Sequence, residues 1–556
     1  MDGTVRYLGG TSGATFVDRL KDFMCTLVQC VSGGEESDVL STVGQYQTFD
    51  SRPLSNPDVD HLWLPSRTDM SAMLVELRYY IQDGNGDFPC GGIYWWGDLN
   101  VIPSPVTRST SSVNAVTTDE SYRYLAFHHV CFALASSIGH KSYRHSEQHT
   151  GEAYFKRARV LLGNPLDFVR STLDDVPVLT LMAFYLIEIN RRDAAYIYLG
   201  IAVRIALIHG TFEYCATEAF KRIMWTVYIL DRWLSVLMGR PPTIAEEAIR
   251  LALPVHVPEL PSCEGLLAHI ELSRISNHIV CETYRIASRN CKPGGSADDI
   301  DIALDMLQGW QSNLPSSLQM PEDAERFDPA CCILHMAHNQ LVVLTTRPLF
   351  FATVKRIVAQ LSIHGDHLAE EPRQIAHMLT CSNAAHRNLL LAQRLVASSI
   401  RPLQAGLHFI FNGAVILLLR RLVRYTLNID FDNSDARSTS STATEEDHEP
   451  GIQFAVKTFE EEAKTGTNYS RDCSKILQDL DKLTNHYAAS LENLVQQRGS
   501  SLEQVYPYLH ATNGQSDYAA SPHTPLHLLG EGDAGHAEVL TWFQNNGLRL
   551  QETLFI

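Results

Sequence analysis

The segment from Phe220 to Leu237 constrains the fold more than any other. Phe220, Ile223, Val227, Leu230, Leu234 and Leu237 recur at alternating spacings of three and four, which places them on one face of an α-helix. Met224, Trp225, Tyr228, Trp233 and Val236 make the other faces apolar too. A helix that is apolar most of the way round is an interior helix, so other elements have to surround it. Gly239 can take the left-handed conformation that ends a helix, and Pro241 and Pro242 prevent its continuation. Thr243 and Glu246 then have the spacing of a capping box for a short next helix.

Helical periodicity recurs along the chain and strand signals are sparse, which predicts an all-α fold: one large helical array with a disordered acidic insertion. A first helix is expected from the N-cap Ser12 to about Val31, and another over 69–82. A stack is expected at 119–138, 149–163, 173–189, 191–209 and 215–238. A second set follows at 264–291, 298–314, 328–346, 372–399 and 402–427, with a further helix near 470–497. Residues 32–66 and the tail from about 499 to 532 read as loop. Residues 83–105 carry five glycines and three prolines around Tyr94, Trp95 and Trp96, an irregular connection pinned by buried aromatics. The stretch from 428 to 450 is acidic and rich in Ser and Thr, with too little apolar surface to offset its ordering entropy. At 556 residues the chain exceeds the ~250–300 at which one core stops growing. We divide it into an N-terminal helix and loop (1–66), a main helical body (67–428), an acidic linker (429–450) and a C-terminal helical region with its tail (451–556).

The formal net charge is −18, which disfavours direct DNA binding, because phosphate recognition needs a basic face. The denser basic groups, Lys156, Arg157 and Arg159 and then Arg420, Arg421 and Arg424, sit in helical patterns. Twelve cysteines are scattered with no C-x-x-C among them, so no zinc-site spacing appears, and a reducing compartment is expected. The N-terminus lacks the apolar core of a signal peptide. The apolar run from Gly406 to Leu419 is too short to span a bilayer, so no membrane is expected as a partner.

Catalytic motifs are missing: there is no G-x-S-x-G elbow, no phosphate-binding G-x-x-x-x-G-K-[ST] loop and no G-x-G-x-x-G after a strand. The histidine pairs His145/His149, His335/His338 and His364/His367 have helical spacing but no third ligand beside them, so neither a metal nor a catalytic site is assigned. Trp95 and Trp96 are either core rings or the wall of a ligand pocket. Glu445, Glu446 and Asp447 are either a solvated loop or an activation segment. Asp231, Arg232 and Arg240 sit on the interior helix and at its end. They read either as a contact set for a ligand or partner, or as an internal ion network, since buried charges must be partnered.

The residues around that helix form a recognisable block: Arg222-Ile-Met-Trp225, then Tyr228-Ile-Leu-Asp231-Arg232, Ser235, Gly239-Arg240-Pro241, Ile244 and Leu253-Pro254. The block resembles the fungal-specific transcription factor domain, the middle homology region of zinc-cluster regulators. Weaker matches stand in the same order: Arg6-Tyr7-Leu8-Gly9 with Ser12-Gly13, Ala153-Tyr-Phe155 with Ala158-Arg159, Gly200 to Leu207, and Leu341 with Arg347-Pro348-Leu349, which looks like a later helix end. A departure lies in the turn His209-Gly210-Thr211. The resemblance covers roughly 5–425.

It implies an all-α regulatory and interaction domain of a nuclear transcription regulator, not an enzyme, controlling a metabolic or secondary-metabolite gene cluster. Implied partners are other regulators or coactivators, a homodimer mate and a metabolite effector. The family's zinc is held by an N-terminal cluster of six cysteines, a spacing that this sequence lacks, so no cofactor is expected here and DNA would be reached only through a separate module. A truncated gene model, an excised piece and a regulator built without the module remain three explanations. The alternative function is a scaffold that pairs with a full-length regulator, and a helical enzyme with an unfamiliar site is a third.

Overall fold

The computed structural model describes residues 7–32, 54, 56–105, 115–138, 150–163, 171–284, 286, 297–320, 328–364, 372–398, 400–423, 445–464 and 468–505. Among them the protein is all-α, with fourteen α-helices and no strand. The first seven are α1 (Gly13–Ser32), α2 (Arg67–Ile81), α3 (Ala115–Ile138), α4 (Gly151–Leu162), α5 (Asp175–Glu188), α6 (Arg192–Ile208) and α7 (Glu218–Met238). The others are α8 (Glu264–His278), α9 (Ala297–Ser312), α10 (Pro329–His364), α11 (Pro372–Ala397), α12 (Gln404–Arg421), α13 (Glu445–Lys464) and α14 (Asn468–Val505).

Local chemistry starts several of them. Ser66, Thr150 and Thr217 accept the amides of Asp69, Ala153 and Phe220, three residues on, and Ser12 accepts that of Ala14. Asp328 accepts the amides of Ala330 and Cys331, with Pro329 in the first helical position, where a missing N–H costs nothing. Each cap contributes about 1 kcal/mol.

Two apolar cores organise the array. The first is built from α2 to α7, with α7 buried on almost every face and α5 buried from Val178 to Ile187. The second joins α1 to α9 and the later helices, with α12 buried from Gly406 to Leu419. No helix among the described residues is long and apolar enough to cross a membrane. Helix α8 faces both cores: Leu266 and Ile270 belong to the first, Ala268 and Leu272 to the second. Helix α1 packs inside the second core, where Phe16 and Phe23 each meet the Phe351 ring edge-on at 5.5 Å. Tyr80, Tyr94 and Trp233 touch both cores and mark the seam.

Several expectations are corrected. Helix α10 does not end before Arg347-Pro348 but runs on to His364. Pro348 cannot donate to the Leu344 carbonyl one turn back, and the Tyr284 hydroxyl donates to that oxygen instead, at 2.7 Å. Helix α8 stops at His278 and passes into a π-turn, Ile279–Thr283. The acidic stretch expected to stay unstructured to 450 is helical from Glu445, since α13 starts there and contains Pro450. Residues 429–444 lie outside the described residues. Helix α14 extends to Val505, into sequence read as loop.

Candidate functional site

The residues of the family-like block sit on α7 and on the loop that follows it, and their side chains are engaged with that loop. Arg222 donates to the carbonyls of Pro261 (2.7 Å) and Val255 (3.1 Å), and Glu218, one turn earlier, accepts the Val255 amide at 2.8 Å. The Trp225 indole donates to the Ala252 carbonyl at 3.0 Å. The Tyr228 hydroxyl donates to Glu246 at 2.8 Å.

Asp231 and Arg232 are each 1% exposed and pair at 2.7 Å. The Asp231 carboxylate also accepts the Thr243 amide on both oxygens, at 3.1 and 3.0 Å. Arg232 donates to the Ile244 carbonyl at 2.9 Å and reaches Glu246 at 3.2 Å, while its guanidinium lies 4.5 Å from the Tyr228 ring centre. Burial pushes the Asp231 carboxyl above its ordinary range, and Arg232 and Thr243 oppose the shift. The Ser235 hydroxyl turns back to the Asp231 carbonyl at 2.8 Å.

The expected capping box does not form. The short 3₁₀ turn Glu246–Ala248 follows Ala245, because Asp231 has taken the Thr243 amide and Glu246 faces Tyr228, Arg232 and Arg274. Glu246 thus joins the Arg232 cluster instead of capping a helix. Glu218 was open to detection, since it stands one turn before Arg222 on the same helix face.

Helix α7 ends as its sequence dictates. Gly239 is left-handed (φ 63°, ψ 36°), and its amide and that of Arg240 both return to the Ser235 carbonyl. Arg240 pairs with Asp193 at 2.8 Å, lies 5.3 Å from the Tyr196 ring centre and donates to the Tyr7 carbonyl at 3.3 Å. The Pro241 carbonyl accepts the Tyr196 hydroxyl at 3.2 Å. Three separate parts of the sequence pattern converge here. The Gly9 amide donates to the Met238 carbonyl at 3.2 Å, and Arg347 donates to the Thr11 carbonyl at 3.3 Å while covering the Phe16 ring.

The remaining candidates are placed as follows. The Trp96 indole donates to the Ile81 carbonyl at 2.8 Å and its ring meets Phe184, and the Trp95 backbone is bonded to the Thr226 hydroxyl. Tyr94, beside them, lines a crevice between the cores. His335 and His338 point to different carbonyls, Leu318 and Leu307. His145, His149 and His367 lie outside the described residues. Of the basic groups, Arg157 is buried with its guanidinium 4.7 Å from the Trp63 ring centre, and Arg421 is held by Asp481, Asn485 and Glu449 at 2.7 Å each.

Residues 118–290, which include α4 to α8, match the fungal specific transcription factor domain. The match covers less than half of the chain. Its relatives are fungal transcriptional regulators. An uncharacterized transcriptional regulatory protein of Schizosaccharomyces pombe is 23% identical over 64% of this chain and 45% of its own length. The thiamine repressible genes regulatory protein thi1 of the same yeast is 26% identical over 46% of this chain and 34% of its own. Activator of stress genes protein 1 of Candida albicans is 23% identical over 44% and 29%. The chain thus spans less than half the length of these curated relatives. No solved structure matches it. The matched region includes Arg222 to Pro241, so the α7 block lies within it.

Proposed function

We propose that this chain is the regulatory and interaction body of a nuclear transcription regulator, and that it works by contact and not by catalysis. The observation that supports this best is the Asp231–Arg232 pair. Both charges are buried, and both hold the Gly239–Glu246 loop against α7. Removing one member of such a pair costs about 3–5 kcal/mol, so a structural assignment accounts for the residues without a ligand. Arg222, Trp225, Tyr228 and Ser235 serve the same purpose, and Gly239, Arg240 and Pro241 lock the end of the helix to α6 and the N-terminal segment.

DNA would be reached through a separate module or a partner. The net charge of −18 and the internal engagement of Arg157 and Arg421 support that reading. The targets proposed are metabolic genes, a class consistent with a relative named for thiamine repressible genes.

The test fuses the whole chain to an unrelated DNA-binding module in fungal cells with a matching reporter. Expression should change several-fold, in either direction, with the fusion concentrated in the nucleus. A folded fusion that leaves the reporter untouched would overturn the proposal. Chromatin occupancy of the natural protein then identifies the genes.

A further inference from the structure

The two cores do not close completely on each other. Between them runs a narrow crevice, part of it open to solvent. Its wall is mostly apolar and includes Phe184 from the first core, Ala330 and Leu395 from the second, and Tyr94 and Trp233 from the seam itself. Glu188 lines this crevice and also an adjoining cavity bounded by Arg401 and Gln404.

Turn chemistry puts Glu188 there. Helix α5 ends at Glu188, and Asn190 takes a left-handed conformation at φ 60°. The Arg191 amide returns to the Leu186 carbonyl at 2.7 Å and the Asn190 amide to that of Ile187 at 2.9 Å. This paired closure fixes the last turn, and with it the carboxylate at the seam.

The carboxylate is only half satisfied. Oε2 accepts the Gln404 amide at 2.9 Å, whereas Oε1 is buried and has no hydrogen-bond partner. Burial raises the group to about 7, with the Gln404 amide and the Arg401 charge opposing the shift. Arg401 is not free to complete the pair, because Glu462 holds its guanidinium at 3.2 and 2.7 Å and the Ser137 carbonyl accepts from it at 3.1 Å. An acceptor left in this state inside an apolar wall costs folding energy that a cationic donor would recover.

We propose that the crevice is a binding site for a small organic amine with a flat or chain-like apolar body. Its ammonium group pairs with Glu188 Oε1, and its body lies against Tyr94, Phe184 and Trp233. Aromatic faces add to the attraction for a cation. An acid would meet a like charge, and an alcohol would supply the hydrogen bond without the ion pair. A ligand held by both cores would favour one packing of the seam over another, which is how it could act in the regulatory body proposed above.

The experiment titrates the purified full chain with 4-phenylbutylamine and with its matched alcohol and acid, 4-phenylbutanol and 4-phenylbutyrate. Calorimetry at about pH 8 keeps Glu188 ionised. The amine should bind at least about tenfold more tightly than the alcohol, and the acid should not bind. Glu188→Gln should bring the amine down to the level of the alcohol, and Ala405→Phe, which fills the crevice, should abolish binding of both. Melting curves establish that each variant folds, and Ile333→Phe fills the same space if Ala405→Phe does not. Equal binding of amine and alcohol, unchanged amine binding in Glu188→Gln, or no binding of any probe at millimolar concentration would overturn the site. Because the readout is heat from purified protein, such a failure leaves the reporter result for the regulatory reading untouched.

Discussion

Gly9 and Gly239 lie backbone against backbone, so that the N-terminal segment rests on the end of the interior helix α7. A Cβ placed on Gly9 would stand 2.1 Å from the Gly239 carbonyl oxygen, and one on Gly239 would stand 2.5 Å from the Gly9 Cα. Neither neighbour is a flexible side-chain tip, so the contact cannot be relieved by a rotamer change. Gly9→Ala is therefore expected to destabilise the protein by about 1–3 kcal/mol, read as a lower urea midpoint. Gly309→Ala is the control. Its Cβ would meet nothing within 4 Å, and it lies within α9, so it should be neutral or stabilise by up to about 1 kcal/mol. Equal behaviour of the two variants would show that the Gly9–Gly239 approach is not formed in solution.

The two carboxylates around Arg232 should differ in weight. Asp231 is 1% exposed and holds both Arg232 and the Thr243 amide, whereas Glu246 is 34% exposed and at the edge of the cluster. Asp231→Asn should cost about 3–5 kcal/mol, because it leaves a buried guanidinium with only the partly exposed Glu246 as counter-charge. Glu246→Gln should cost about 1 kcal/mol or less, since solvent screens that pair and the amide still accepts from Tyr228. Urea unfolding of both variants ranks them directly. The reverse order would move the centre of the network from Asp231 to Glu246.

Helix α10 carries a proline that a second side chain compensates. Tyr284→Phe removes the donor to the Leu344 carbonyl and should cost about 1–2 kcal/mol in the native background. In a Pro348→Ala background the helix can supply its own amide to that carbonyl, so the same change should cost much less. A double-mutant cycle on unfolding free energy measures the difference. Additive effects would mean that the tyrosine does not compensate for the missing amide.

What the sequence reveals is mostly what neighbouring residues decide among themselves. Helix α7 was legible because its apolar positions repeat with the helical period and Gly239 can take a positive φ. Ser12 was legible as a cap for the same local reason. Pro348 misleads because its compensation comes from Tyr284, whose hydroxyl reaches the Leu344 carbonyl from 60 residues away along the chain. The acidic stretch up to Pro450 reads as unstructured, yet α13 starts at Glu445 and runs through that proline. The capping box fails because a buried carboxylate on α7 competes for Thr243. Glu188 gave no signal at all: it reads as the polar end of an apolar helix, and only the packing of α12 and the Arg401 segment against that end shows one of its oxygens to be without a partner.

Four buried histidines should make the fold sensitive to acid. Burial lowers His129 to about 3 and His269 and His338 to about 4, and holds His408 well below its ordinary range. In the unfolded chain such rings take a proton near about 6.5. Below that pH the unfolded state binds more protons than the folded one, so stability falls as pH drops from about 6.5 toward 4 and is fully present above it. Glu188 works the other way. Its folded value of about 7 lies above the ordinary 4.5, so it favours the fold on acidification, as do the raised carboxyls of Asp231 and Asp328, whereas burial lowers His128 and His335 along with the other four rings. The urea midpoint should therefore be lower at about pH 5 than at about pH 7.5. His338 shows the cause: its Nε2 meets the Leu307 carbonyl at 3.2 Å while its ring stacks on Trp310. His338→Gln keeps a donor for that carbonyl and removes the titration, so the midpoint difference between the two pH values should shrink. A midpoint that stays level or rises on acidification would mean that these rings carry protons inside the fold, against the desolvation that surrounds them.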